Sequence, residues 1–336
     1  MFKNQFWQTV VVASIAGLLG SCNQSAPTTQ SSPTEPVAAS PSASPSSSVA
    51  TGKEPKVVAT TTVICDLTKQ IAANTIDLTC PIKAGTDPHI YEPTPGDRKA
   101  IEEAKLVLYG GYNFEPSLIK IIKATTNTAP KIAINEVAVP KPQTFEDDGK
   151  TETDPHVWHN AQNGISMVEV IQSNLAKVAP ENADLYAKNA QAMTKEIAQI
   201  DTWIKSQVAT IPPTSRKLVT THDALGYYSK AYNIPVEGAL GGTSTEEKPT
   251  AARVAELVKI IQKAKVPTIF AEITINPKLI EAVAKDAKVK VSDRGLMADG
   301  LGEADSEGTT YQKMLIANTR TIVEGLGGKY VAFQAK

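Results

Sequence analysis

The chain has 336 residues, a formal net charge of −1 and 41% hydrophobic residues. That length exceeds one small domain and suits two of moderate size. The near-neutral charge gives no electrostatic basis for binding nucleic acid, and the hydrophobic share is ordinary for a globular core.

In chain order, Lys3 precedes an apolar run from Val10 to Leu19 that ends in Leu19-Gly20-Ser21-Cys22. A run this short, basic before and small-residued after, reads as a secretory signal over residues 1–21 rather than a membrane span. The four residues ending at Cys22 resemble a bacterial lipobox, in which cleavage leaves that cysteine to be lipidated. From Asn23 to about Thr51 the chain is almost entirely Ser, Pro, Thr, Ala and Gln. Too few large apolar groups stand there to offset ordering entropy, so residues 22–54 read as a lipid-anchored disordered tether. The folded part is then held beside a membrane, extracytoplasmic, in the periplasm or at the cell surface. In that setting Cys65 and Cys80 are either a disulfide closing a short loop or two buried thiols.

Strands and helices alternate after the tether, over an N-terminal lobe of residues 55–180. Strands are expected at Lys56–Thr61, Ile76–Lys83, Leu106–Tyr109 and Lys131–Ile134, and helices at Asp66–Ala73, Asp97–Glu103 and Pro116–Ala124. Residues 181–211 lack Gly and Pro and place Leu185, Ala190, Met193, Ile197, Ile200, Ile204 and Val208 at helical spacing. Pro212-Pro213 stops that helix, which at 1.5 Å per residue is roughly 45 Å long and reads as a rigid connecting strut. In a C-terminal lobe, residues 212–336, strands are expected at Lys217–Thr221, Thr268–Ala271 and Val289–Ser292. Helices are expected at Ala224–Tyr232, Ala251–Lys263, Pro277–Ala287 and Thr309–Gly325. The fold class is α/β: two lobes, each a parallel sheet flanked by helices, joined by one long rigid helix.

Three of the four histidines occupy short motifs, Asp87-Pro88-His89, Asp154-Pro155-His156 and Thr221-His222-Asp223. Proline fixes the backbone beside the imidazole, a neighbouring carboxylate can orient it, and neutral imidazole is the commonest protein ligand for transition metals. His222, Glu272 and Asp293 each fall just past a strand's C-terminal end, where open α/β sheets place binding groups. Facing lobes would therefore gather His89, His156, His222 and Asp293 into one metal site. Asp87, Asp154 and Asp223 stand behind the ligands as orienting carboxylates, and Glu272 is either another of these or an alternative fourth ligand. His159 is read as a surface or supporting imidazole rather than a ligand.

The string from Gly85 to Asp97, together with Asp154-Pro-His-Val-Trp158, the stretch from Thr221 to Tyr232 and Val291-Ser-Asp293, resembles the manganese/zinc substrate-binding lipoproteins of ABC importers, the TroA-like or adhesin-like family. The resemblance covers about Lys56 to the C-terminus. It implies two α/β lobes bridged by a long helix, one Zn2+ or Mn2+ as cargo in the interlobe cleft, and delivery to a permease with its ATPase by a monomeric, membrane-anchored protein. Arg294 stands where the family has Ser, and His159-Asn160 replaces its usual continuation after Trp158. His222 favours zinc, whereas the short, acidic, histidine-free stretch Thr144 to Thr153 lacks the His-rich loop common in zinc-specific members. Two other classes compete with this reading. A secreted zinc hydrolase with Glu272 as base needs an open coordination position that four protein ligands close; a surface adhesin has no residues singled out for it.

Overall fold

The computed structural model describes residues 54–147 and 150–336. The expected signal sequence, Cys22 and the tether through residue 53 lie outside the described residues.

In the N-terminal lobe, strand β1 (Lys56–Ala59) pairs in parallel with β2 (Asp77–Thr79) on one side and β3 (Leu106–Tyr109) on the other, and β3 pairs with β4 (Lys131–Ala133). The order is β2-β1-β3-β4. Val57, Leu106 and Leu108 belong to the large core that includes α1 (Thr62–Ala72). Their chain neighbours Val58 and Val107 pack on the opposite face with Ile101, Leu118 and Ile122, from α2 (Pro95–Glu103) and α3 (Pro116–Ala124). The period-two alternation of a strand thus buries both faces, which is why these strands read as unbroken apolar runs. Helix α1 begins at Thr62 rather than Asp66 because Thr61 caps it, its hydroxyl accepting from Ile64 N–H. Strand β2 stops at Thr79, just before Cys80-Pro81, and Cys80 is disulfide-bonded to Cys65 of α1 with Cα atoms 5.9 Å apart.

Beyond β4 come the short helix α4 (Ile134–Ala138) and an antiparallel hairpin, β5 (Thr144–Asp147) with β6 (Lys150–Thr153). Helix α5 (Ala161–Val178) then leads through a 3-10 turn at Pro180–Asn182 into α6 (Ala183–Val208). Neither the hairpin nor α5 is expected from the sequence. The 26 residues of α6 span about 39 Å. One face of it, with Tyr186, Met193, Ile197, Ile200 and Ile204 buried, packs on α5 and α1, and also on the final helix α10 (Tyr311–Gly325). It is the long connecting helix expected from the sequence, and helices from both ends of the chain pack along it as on a shared spine.

In the C-terminal lobe β7 (Leu218–Thr220) pairs in parallel with β8 (Val236–Ala239), and β9 (Thr268–Ile269) with β10 (Lys290–Val291). Phe270 N–H donates to Val219 O at 2.9 Å and sets these two two-stranded sheets edge to edge, in a succession β8-β7-β9-β10 that resembles the N-terminal β2-β1-β3-β4 order. Helices α7 (Gly226–Tyr232), α8 (Ala251–Ala264) and α9 (Lys278–Ala287) complete the lobe. Strand β8 is not expected from sequence, since Gly238 interrupts its apolar pattern. A Cβ there would lie 2.8 Å from Leu257 Cδ1, so the glycine lets α8 pack close. Among the described residues no helix is long and apolar enough to cross a membrane.

Candidate metal centre

His89 lies in the β2–α2 loop, which turns at Gly85 with φ +75°. Its backbone N–H donates to Asp87 Oδ1 at 3.0 Å. The residues after it form a capping box: Thr94 accepts from Asp97 N–H while Asp97 Oδ2 accepts from Thr94 N–H and, at 2.8 Å, from the Tyr91 hydroxyl. Much of the long first motif is therefore machinery that ends a loop and starts a helix, with His89 held at 3% exposure.

His156 repeats the device, donating N–H to Asp154 Oδ1 at 2.9 Å, but here the ring joins in: Nδ1 also lies 2.9 Å from Asp154 Oδ1. Asn135 Nδ2 donates to Pro155 O and fixes the same turn. Gly226 makes room for Asp154, since a Cβ there would stand 2.7 Å from its Oδ2.

His222 follows β7. Glu272, just past β9, accepts the N–H groups of Thr221 and His222 on Oε1 at 3.0 and 2.9 Å, and faces His222 Nδ1 with Oε2 at 2.5 Å. In both His156 and His222 the carboxylate accepts the Nδ1–H, which turns Nε2 toward the centre as the atom that would meet a metal once it has lost its proton.

The structure supplies the carboxylate from Asp299. Its Oδ1 lies 3.1 Å from His222 Nε2, 3.2 Å from His156 Nε2 and 3.5 Å from His89 Nε2. All four ligand atoms fall within 4.8 Å of one another, and all four residues are buried. A tetrahedral zinc shell with bonds near ~2.1 Å has ligand atoms roughly 3.4 Å apart, so these separations suit one ion. Thr274 donates to the other oxygen, Asp299 Oδ2, at 3.3 Å.

Asp293 is not at this cluster. It is exposed at the end of β10, in a surface hollow with Ser292, Arg294 and Glu324, and Arg294 pairs with Glu324. The reason lies in the backbone: past β10 the chain bends at Asp293 and Arg294 and pairs again only at Leu296, where Ile273 N–H donates to Leu296 O and Leu296 N–H to Ala271 O, before it reaches Asp299. Asn318 of α10 holds Met297 by both backbone groups, and Thr62 Oγ1 accepts from Leu301 N–H. The signal for Asp299 was a lone acid in the apolar stretch Leu296–Leu301; the strand-end rule pointed to Asp293 instead.

The remaining expected residues divide. Glu272 and Asp154 back imidazole rings. Asp87 holds a backbone, not a ring, and its Oδ2 accepts from Thr245 at 2.6 Å. Asp223 donates its backbone N–H to Gly242 O, and burial followed by the Asp154 charge pushes its carboxyl up. His159 is fully buried, its Nε2 donating to Ala298 O at 2.7 Å beside Asp299. Burial, reinforced by His156, pushes it down to about 4, so it is a neutral donor.

Burial by itself would push the His222 and His156 rings down, but the carboxylates win. Asp299 and Glu272 raise His222 well above its ordinary value, and Asp154 with Asp299 raises His156. Reciprocally, His222 and hydrogen bonds from the rings hold Asp299 well below the usual carboxylate range against its burial. The centre is a concentrated negative field behind and among three imidazoles, built to take positive charge.

Two α/β lobes on one spine helix, with imidazoles and a carboxylate converging from both, define a bilobal metal-binding protein. The chain belongs to the family described as zinc-uptake complex component A, periplasmic, whose model matches residues 57–325. It is 34% identical over 284 residues to the manganese ABC transporter substrate-binding lipoprotein PsaA of Streptococcus mitis, covering 82% of this chain and 91% of that protein. Identity with the manganese-binding lipoprotein MntA of Bacillus subtilis is 33% over 276 residues, 81% of this chain and 89% of the other. The structure of the periplasmic zinc binding protein TroA from Treponema pallidum aligns with TM-score 0.77 at 31% identity, over 82% of this chain and 99% of that one.

Proposed function

We propose that the chain captures one divalent transition metal, zinc or manganese, through His89, His156, His222 and Asp299, and delivers it to the permease and ATPase of an ABC importer. The observation that carries this reading is the convergence of four buried ligand atoms from four chain segments within 4.8 Å. Two of the imidazoles are oriented from behind by carboxylates. Four protein donors leave no open position for an activated water, which favours a carrier over a hydrolase. Glu272 has both oxygens engaged with the His222 segment, which argues against its use as a general base. Neither the hydrolase nor the adhesin reading draws support from the relatives described above.

Three nitrogens and one oxygen suit zinc, and Thr274 on Asp299 Oδ2 favours single-oxygen ligation, whereas manganese prefers more oxygen. Raw affinity at such a site favours zinc in any case, so the cargo in the cell follows from metal supply and permease as well as from these donors. The relatives named as lipoproteins support a lipid anchor, which the sequence places at Cys22, and an extracytoplasmic, membrane-anchored location. The test is metal content. Tag-free protein beginning near residue 54 is stripped, loaded separately with zinc and manganese, dialysed and assayed by plasma mass spectrometry. One retained ion per chain is expected; no retained ion for either metal overturns the reading.

A further inference from the structure

The loop between β8 and α8 touches both halves of the centre. At its root, Gly241 N–H donates to Thr221 O and Asp223 N–H donates to Gly242 O, each at 3.0 Å, so the loop is stitched to the His222 segment. Gly241 also packs on the ligand itself, since a Cβ there would lie 3.4 Å from His222 Cβ. At its tip the Thr245 hydroxyl donates to Asp87 Oδ2 at 2.6 Å, and Asp87 Oδ1 in turn accepts His89 N–H at 3.0 Å. Asp87 is 8% exposed and Thr243, between root and tip, is 5% exposed, so this bridge lies under cover rather than in open solvent. A continuous path of short contacts therefore links His222 of one lobe to His89 of the other without passing through a metal ligand atom.

We propose that Thr245 is an interlobe latch that sets how fast the bound metal leaves, an inference that rests on the metal-carrier reading above. An ion held by His89 and His222 departs only when these two ligands separate. Because the loop is tied to the His222 segment by two backbone bonds and to the His89 segment by one side-chain bond, opening breaks the Thr245–Asp87 bond first. That bond has a charged acceptor buried from water, so its rupture adds to the barrier for release. Capture by an opened centre, in which the Thr245–Asp87 bond is already broken, is affected far less. Thr245 is a positioning residue: it contacts no ion and acts through Asp87.

The test compares the purified chain with T245V, which keeps the shape and removes the hydroxyl, and T245S, which keeps the hydroxyl. Zinc-loaded protein is mixed in a stopped-flow cell with excess chromogenic chelator, and association is followed separately with zinc alone. T245V is expected to release zinc roughly tenfold faster, as loss of one such hydrogen bond implies, with association within about twofold and one ion per chain. T245S is expected to release at close to the wild-type rate. Release from T245V at the wild-type rate, or equal acceleration in T245S and T245V, overturns the latch while leaving the metal site standing. A wild-type chain that holds no zinc overturns both.

Discussion

Replacing Asp299 by Asn separates the carboxylate the structure gathers from the one the strand-end rule suggests. Asp299 Oδ1 stands 3.1–3.5 Å from three imidazole Nε2 atoms, and its carboxyl is fully buried. Asn preserves its shape and a weak oxygen donor but removes the only negative charge within that ring of donors. Four-ligand protein sites bind zinc with about 10–16 kcal/mol, so one donor is worth about 3–4 kcal/mol. At 1.4 kcal/mol per decade this is a loss of roughly 10²–10³ in affinity. Asp293 is exposed and apart from the cluster, so D293N should change affinity by less than about threefold. The assay is competition for zinc against a fluorescent chelator at fixed pH and ionic strength, with wild type, D293N and D299N side by side. Affinity of D299N within about threefold of wild type, or a loss in D293N equal to that in D299N, would refute the assignment of Asp299.

Glu272→Gln keeps the hydrogen bonds but removes the charge behind His222, and should weaken zinc by about 10–100-fold. His159→Phe, which loses only the bond to Ala298 O, should cost less in the same titration; a cost matching that of His89→Ala would show that His159 reaches the metal. Asp299 and Glu272 favour the protonated His222 ring, so a metal competes with protons there and affinity should fall as pH drops. Calorimetry in buffers of different ionisation enthalpy should then register proton release on zinc binding, growing as pH is lowered toward 6, and no release would count against the ring assignment. Glu115, buried and pushed up to about 7 from 4.5, favours the fold fully below about pH 4.5 and loses that contribution as pH rises through 7. The difference amounts to about 3 kcal/mol, so denaturation curves of wild type and E115Q should converge or cross between pH 5 and 8, and a constant offset would contradict the burial argument.

The sequence carried the three histidines because each sits in a string whose other members fold the loop. Asp87 and Asp154 bond the backbone two residues on, and Thr94 with Asp97 starts the next helix. Such local chemistry is written in adjacent residues. Asp299 was not legible in the same way, since its position depends on Leu296 pairing beside Glu272 and on Asn318 holding Met297 from another helix. Those bonds join residues far apart in the chain. Helix α5 was obscured by Gly164 in its first turn, which the fold uses to admit Tyr311; a Cβ there would fall 2.1 Å from Tyr311 Oη. The β5–β6 hairpin read only as an acidic stretch, since Phe145 is the one apolar residue in its two four-residue strands and gives no period-two pattern.

The two lobes share one plan and use it to different ends. In each sheet a glutamate beyond the third strand reaches back to the residues that follow the first. Glu272, beyond β9, accepts N–H groups at Thr221 and His222, and Glu115, beyond β3, accepts from the Thr60 hydroxyl and from Gly110 N–H at 2.7 Å each. In the C-terminal lobe the residue at that strand end is a histidine, so the second oxygen of Glu272 meets Nδ1 and its charge is passed on to the metal ligand. In the N-terminal lobe the corresponding strand runs into Thr60 and Thr61, no imidazole stands there, and Glu115 Oε2 has no hydrogen-bond partner among the described residues. The same buried position therefore yields an anion that tunes a ligand in one lobe and a carboxyl drawn toward neutrality in the other. Charge is spent where the ligand is. That asymmetry explains how the N-terminal lobe contributes His89 and His156 from later loops, braced by Asp87 and Asp154, while the C-terminal lobe places His222 on the strand end itself.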